Sequence, residues 1–250
     1  MSFRTGFGSD DRGVSDVVGY VLIFSLIVAT VGVVTTVGFG TLDDRQDAER
    51  INNVERAFDV FANNMENVYR DGAPSRATEM RLAGGTLRHG DAINITIESP
   101  DGDTVTTSPR PLTYEDGNTK IIYVGGALIR SDDGSAVMLR DPPFPMGADT
   151  ASFPMIDTFH TSGAQTVSVD GTIRVTSTAL RINTTVPQSF DTNGDYNVTV
   201  ESPRSDAWAR YFEDREDLSV ADHQGETVRA TISSDGVSVP RFRTRLRFAE

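Results

Sequence analysis

Three short patterns carry the residue types that chemistry would need. The first is Arg12-Gly13-Val14-Ser15, a basic residue and a small residue directly ahead of a long apolar run. Asp16 follows, and a carboxylate near the start of a helix is favoured by the helix dipole. The second is the tripeptide Asn-x-Thr, present as Asn94-Ile95-Thr96, Asn183-Thr184-Thr185 and Asn197-Val198-Thr199. It is the acceptor for N-glycosylation, although Thr is also simply a good strand residue. The third is Asp191-Thr192-Asn193-Gly194-Asp195. Asp191, Asn193 and Asp195 place oxygen ligands at alternate positions around a glycine turn, which suits a hard cation such as Ca2+. The full EF-hand spacing is missing, and Asp-Asn-Gly is also ordinary turn chemistry. No other cofactor is implied.

The rest is chemically quiet. His89, His160 and His223 stand apart, with no His-x-x-x-His pair for a metal and no Gly-x-Ser-x-Gly elbow for a hydrolase. There is no cysteine, so disulfides and thiolate zinc sites are excluded. Asp132-Asp133 and Glu213-Asp214 read as solvated surface, and "GGALIRSDDG" lacks the lysine of a phosphate loop. No constellation supports an enzyme, and the expectation is a chain without catalytic residues.

Charge narrows the partners. The chain has 250 residues and a net charge of -13. Residues 1–42 hold Arg4 and Arg12 against Asp10, Asp11 and Asp16, a net of -1, so -12 lies beyond them. So acidic a surface repels nucleic acid, which is not expected as a partner. Of 23 basic residues only Lys120 is lysine. High Asp and Glu with almost no Lys suits concentrated salt, where charge repulsion is screened; a high-GC genome also favours arginine codons.

These residues need elements to position them. Val17 to Gly40 contains no charge. As a helix of 24 residues at about 1.5 Å each it would reach about 36 Å, enough to span a bilayer core with some tilt. A secretory signal has a shorter apolar core, about 7–15 residues, and a small-residue cleavage site behind it; here Leu42-Asp43-Asp44-Arg45 follows. Arginines flank both ends, so the positive-inside rule does not set the orientation. Gly32, Gly38 and Gly40 could loosen the outer end. Beyond them Ile51, Val54, Phe58, Phe61, Met65 and Val68 recur at spacings of 3 and 4, an amphipathic helix that Gly72 and Pro74 end. Two readings stay open: a coiled coil between chains, or a helix packed under its own β-domain.

After Pro74 the period changes to about 2. Short strands alternate with turns at Gly84-Gly85, Asp101-Gly102, Gly125-Gly126 and Asp133-Gly134. The proline-rich stretch "DPPFPMGADTASFPMIDTF" reads as a loop or edge crossing. A short helix is expected at "SDAWARYFEDRED", with Asp206 as a cap and Trp208, Tyr211 and Phe212 inward. The end, "ETVRATISSDGVSVPRFRTRLRF", reads as a hairpin-like pair.

The stretch "RGVSDVVGYVLIFSLIVATVG" resembles the class III signal of archaeal type IV pilins and archaellins, which reads roughly Arg-Gly/Ala-Val-Ser-Pro-Val-Ile-Gly. The resemblance implies a cut by a membrane peptidase between Gly13 and Val14, on the cytoplasmic side, with the apolar run kept as the assembly helix. Asp16 stands where the pattern has proline. It either caps the helix or pairs with the new α-amino group, as a glutamate does in bacterial pilins. With "NNVERAFDVFANN" and "GAPSRATEMRLAGG", the whole chain resembles a haloarchaeal family of membrane-anchored, pilin-like proteins with no assigned function.

The expected plan is α+β and pilin-like. It comprises a leader at 1–13, a transmembrane or assembly helix at 14–41, an amphipathic helix at 42–72 and a β-rich extracellular head at 73–250. The expected function is a pilin-like surface subunit, anchored or assembled into a filament, its head exposed for adhesion. The alternative is an uncut single-pass envelope glycoprotein acting as a binding module. Expected partners are membrane lipid, the prepilin peptidase and other pilin subunits. The expected location is the cell membrane, crossed once, with the N-terminus cytoplasmic and the head outside.

Overall fold

The computed structural model describes residues 11–147, 149–161, 165–168, 170–180 and 189–249, with the backbone alone at 11–16, 36–45, 47 and 83. The protein is α+β, with an apolar N-terminal helix and a β-rich head. It divides into two compact units, Met1–Ile51 and Asn52–Glu250. Helix α1 (Asp11–Tyr69) runs without interruption through Gly32, Gly38 and Gly40.

The head begins with β1 (Ser75–Ala83), β2 (Thr86–His89), β3 (Asn94–Glu98), β4 (Thr104–Thr107), β5 (Leu112–Asp116) and β6 (Thr119–Val124). β7 (Ala127–Asp132), β8 (Ser135–Arg140), β9 (Thr150–Ser152), β10 (Met155–Phe159), β11 (Thr166–Val167) and β12 (Asp170–Leu180) follow. Then come β13 (Ser189–Phe190), β14 (Gly194–Glu201), α2 (Ser205–Glu213), β15 (Ser219–Gln224), β16 (Thr227–Ser234), β17 (Gly236–Ser238) and β18 (Arg241–Ala249).

The strands form four sheets. Their orders are β1-β12-β18-β10, β11-β2-β5-β6-β7-β8, β13-β17-β9 and β15-β16-β14-β3-β4. Most pairs are antiparallel; β10 with β18 and β17 with β9 are parallel.

The second sheet is the middle layer, and β6 shows why. Its run Ile121-Ile122-Tyr123-Val124 is buried throughout, as a strand covered on both faces must be. Tyr123 meets Phe61 of α1 edge to face, with ring centroids 5.0 Å apart. Ile122 and Val124 join the opposite core, with Ile95, Val198, Trp208 and Phe212 from the fourth sheet and α2. The turn from β6 to β7 is Gly125-Gly126, with φ of 59° and 91°. Both are positive, as a two-residue hairpin turn of type I′ requires. A side chain at Gly126 would also run into Pro143 and Ile156.

The apolar stripe of α1 packs into its own head, which decides between the two readings of that segment. Val54, Phe58, Phe61, Met65 and Val68 are all buried. Arginines from the second sheet clamp the polar flank. Arg130 Nη1 reaches Glu55 at 2.7 Å; Arg140 reaches Asn63 at 2.7 Å, Glu66 at 2.9 Å and Asp59 at 3.2 Å. On the first sheet's side, Asn64 Nδ2 donates to Thr78 Oγ1 at 2.9 Å.

Gly84-Gly85 turns the chain as expected and carries it from β1 of the first sheet to β2 of the second. Two expectations are corrected. The C-terminal stretch is not a hairpin: β16, β17 and β18 enter three different sheets. Asp206 is not the cap of α2: the N-cap is Arg204, without a side-chain capping bond, and Asp206 lies in the first turn. The inward placement of Trp208, Tyr211 and Phe212 stands.

Candidate functional site

The first site is the apolar half of α1. Val17–Thr35 is a 19-residue segment of mean hydropathy 2.6, with none of it buried. Val17, Leu22, Leu26, Val31 and Val34 all stand exposed. Thr30 is satisfied by the helix itself: its Oγ1 donates to the carbonyls of Leu26 and Ile27, both at 2.9 Å. That is how a hydroxyl is satisfied without water. A helix of 19 residues rises about 28 Å, close to the thickness of a bilayer core. By length and composition it could cross a membrane; a signal sequence near an N-terminus passes the same test. Arg12, Gly13, Val14, Ser15 and Asp16 lie on the backbone of α1, and their side chains are outside the described residues.

The second site is the outer face of the fourth sheet. Two of the three sequons fall on it, on neighbouring strands; Asn183 lies outside the described residues. Asn94 opens β3 and Asn197 sits within β14, with Asn94 opposite Glu201 and Asn197 opposite Glu98. Side chains alternate, so Ile95, Ile97, Val198 and Val200 point into the core while both asparagines point away. Four residues separate the two along the strands, about 13 Å. Both amides are engaged. Asn94 Nδ2 donates to Glu201 at 2.7 Å and its Oδ1 accepts from Ser108 at 2.8 Å. Asn197 Oδ1 accepts from Thr231 at 3.0 Å. The sequon threonines face one another in register, Thr96 opposite Thr199.

The Asp191–Asp195 turn is built from hydrogen bonds. Thr192 Oγ1 donates to Asp101 at 2.6 Å, Asn193 Nδ2 to Asp235, and Ser233 Oγ to Asp195. Among the described residues no three His, Cys, Asp or Glu converge as metal ligands. The turn sets Asn193 and Asp195 against separate hydrogen-bond partners.

A family model described as "Family of unknown function (DUF7289)" matches residues 12–247. The chain belongs to that family. The match opens at Arg12, so it takes in all but the first residue of α1 and the head through Arg247. No curated protein matches the chain, and no solved structure does.

Two histidine groupings went unforeseen, because nothing in the spacing joins their members. His223 Nε2 lies 3.2 Å from Ser205 Oγ and 3.4 Å from Asp206 Oδ1. The three residue types are those of a hydrolase triad, but the geometry is not. Both partners sit at one ring nitrogen, whereas a triad needs serine and aspartate on opposite nitrogens. Ser205 Oγ also donates to the Gly225 carbonyl at 2.7 Å, tying α2 to the β15–β16 turn.

His89 and His160 meet with ring centroids 4.9 Å apart, and His89 stacks on Phe248 at 4.5 Å. Both His89 nitrogens and His160 Nε2 are buried without a hydrogen-bond partner. Burial above all, then the neighbouring charges of His160 and Arg110, pushes the His89 pKa down to about 4. Its ring is neutral at pH 7 and serves as packing between the first and second sheets.

Proposed function

We propose that the chain is a pilin-like cell-surface subunit, anchored or assembled into a filament through its N-terminal helix, with the head facing outward for adhesion. The observation that carries the reading is an apolar, unburied helix set directly behind Arg12-Gly13-Val14-Ser15. A helix with no polar face has two favourable surroundings, lipid or other helices of its kind. A retained helix can pass from one to the other, which is what filament assembly from a membrane pool requires. The partners in this reading are membrane lipid, a prepilin peptidase cutting between Gly13 and Val14, and other pilin subunits. The head continues from the same helix, so its fold positions what the subunit displays.

The paired sequons favour a second reading, an uncut envelope glycoprotein. Asn94 and Asn197 share one solvent face of one sheet, which suits a glycan-covered surface.

Mass spectrometry of the N-terminus, on protein from native membranes, separates the two. A terminus at Val14 is expected, and Gly13→Val should abolish it. A terminus at Met1 or Ser2 overturns the pilin-like reading and leaves the glycoprotein.

A further inference from the structure

Five of the chain's eleven prolines line one groove. They are Pro142, Pro143 and Pro145 after β8, Pro154 before β10, and Pro240 before β18. The groove is about 760 Å³, within the range of small-ligand sites. Proline has no backbone N–H and one fixed φ, so these walls are rigid and poor in donors. Recognition then falls to the side chains between them.

Those side chains are of two kinds. Tyr69 and Phe242 bring aromatic rings, centroids 5.5 Å apart, and both are half-buried. Arg70, Arg215 and Glu66 bring charge. Glu66 is fully committed: one oxygen takes Arg70 at 2.8 Å, the other Arg140 at 2.9 Å. Arg215 lies 5.8 Å from the Tyr211 ring centroid, and among the described residues no carboxylate is within ion-pairing distance of it. In a chain of 36 acidic and 23 basic residues, that local excess of guanidinium is the reverse of the surroundings.

We propose that this groove binds an acidic sugar, a hexuronic acid carried in a short oligosaccharide. The C–H face of the pyranose lies on Tyr69 and Phe242, as apolar surface on an aromatic face. The carboxylate takes the Arg215 fork, which matches it in a bidentate geometry. The Tyr69 hydroxyl, whose pKa burial pushes up to about 12, stays protonated and donates to a ring hydroxyl. A neutral sugar would leave Arg215 unanswered, and a plain apolar peptide would bury it unpaired. The proposal does not depend on leader cleavage: a terminus at Met1 would sink the pilin-like reading and leave this binding untouched.

The chain carries its own probe. Trp208 is the only tryptophan, and its ring stacks on groove-lining Phe144 at 6.4 Å. The full chain in lipid nanodiscs would be titrated with trigalacturonate, galacturonic acid and neutral maltotriose, following tryptophan fluorescence. The expected result is saturation by trigalacturonate, weaker by the monomer, with maltotriose at least tenfold weaker again. Arg215→Gln and Phe242→Ala should each weaken trigalacturonate at least tenfold, while Arg229→Gln, on the exposed face of the fourth sheet, changes nothing. Unfolding midpoints of the variants separate lost binding from lost fold. Equal binding of maltotriose, or wild-type affinity in folded Arg215→Gln, overturns the proposal. So does the absence of saturation by any of the three below about 10 mM, a free energy of only about -3 kcal/mol.

Discussion

One helix carries two surfaces of opposite kinds. From Val17 to Val34 the large apolar side chains stand exposed around its whole circumference. From Val54 to Val68 all but the exposed Val60 keep to a single stripe, and Val54, Phe58, Phe61, Met65 and Val68 on it are buried. The charged residues mark the change. None occurs from Val17 to Gly40, whereas Glu55, Asp59 and Glu66 each meet an arginine of the second sheet. Helix-forming tendency does not distinguish the halves, since one unbroken α1 contains both. What differs is the solvent each half is made for. The second half is matched to one fixed neighbour, and the first is matched to any apolar surroundings.

The sharpest test of that contrast is a pair of truncations. Phe61→Ala empties a site against Tyr123 and should destabilise the head by about 3–5 kcal/mol in urea unfolding. Leu26→Ala, on the exposed half, should leave the same head transition in place. A comparable loss from both would break the distinction.

Acid comes next. His89 has an ordinary pKa of 6.5 when unfolded and about 4 when folded. The unfolded chain therefore binds the proton more tightly, and acidification favours unfolding. Stability should fall as pH drops from about 6.5 to about 4, by up to about 3 kcal/mol from this group, and His89→Phe should flatten that slope. Asp157, whose pKa burial raises against the pull of Arg243, works in the opposite sense near its own range, so the difference between the two proteins is the measurement.

The smallest effect is expected at Arg140. Its guanidinium joins Asp59, Asn63 and Glu66, but half of that cluster faces water. Arg140→Ala should cost about 1–2 kcal/mol at low salt and less at high salt, read from unfolding curves at two ionic strengths.

These sites were legible in the sequence to very different degrees. The stripe in α1 was plain because helical contact is written at spacings of 3 and 4. The strand content and the turns at Gly125-Gly126 and Asp133-Gly134 were plain because glycine and alternation are local signals. The sheet to which each strand belongs was not. Alternation says which side of a strand is buried, never against what, so β16 to β18 read as one hairpin and entered three sheets. The parallel pairing of Met155 with Arg241 joins residues with half the head between them. The histidines show the same limit. His89 ends β2 of the second sheet and His160 follows β10 of the first, and only the fold brings the rings together. The groove shows it too, because its prolines come from three separate connections.

The strand order of the first sheet has a consequence in time. β18 is the last strand in sequence, yet it sits inside the sheet, between β12 and β10. Both neighbours wait with open edges until residues Arg241–Ala249 arrive. A head emerging N-terminus first can pair β5 to β8 of its second sheet early, since they are successive hairpins, but the first sheet must be finished in one late step. Until then Phe248 is absent, and His89 has no ring to stack on. If the head is exported, its two sides would mature in a fixed order, and a chain halted before Arg241 would present an unpaired β10 and an open edge on β12 to whatever chaperone receives it.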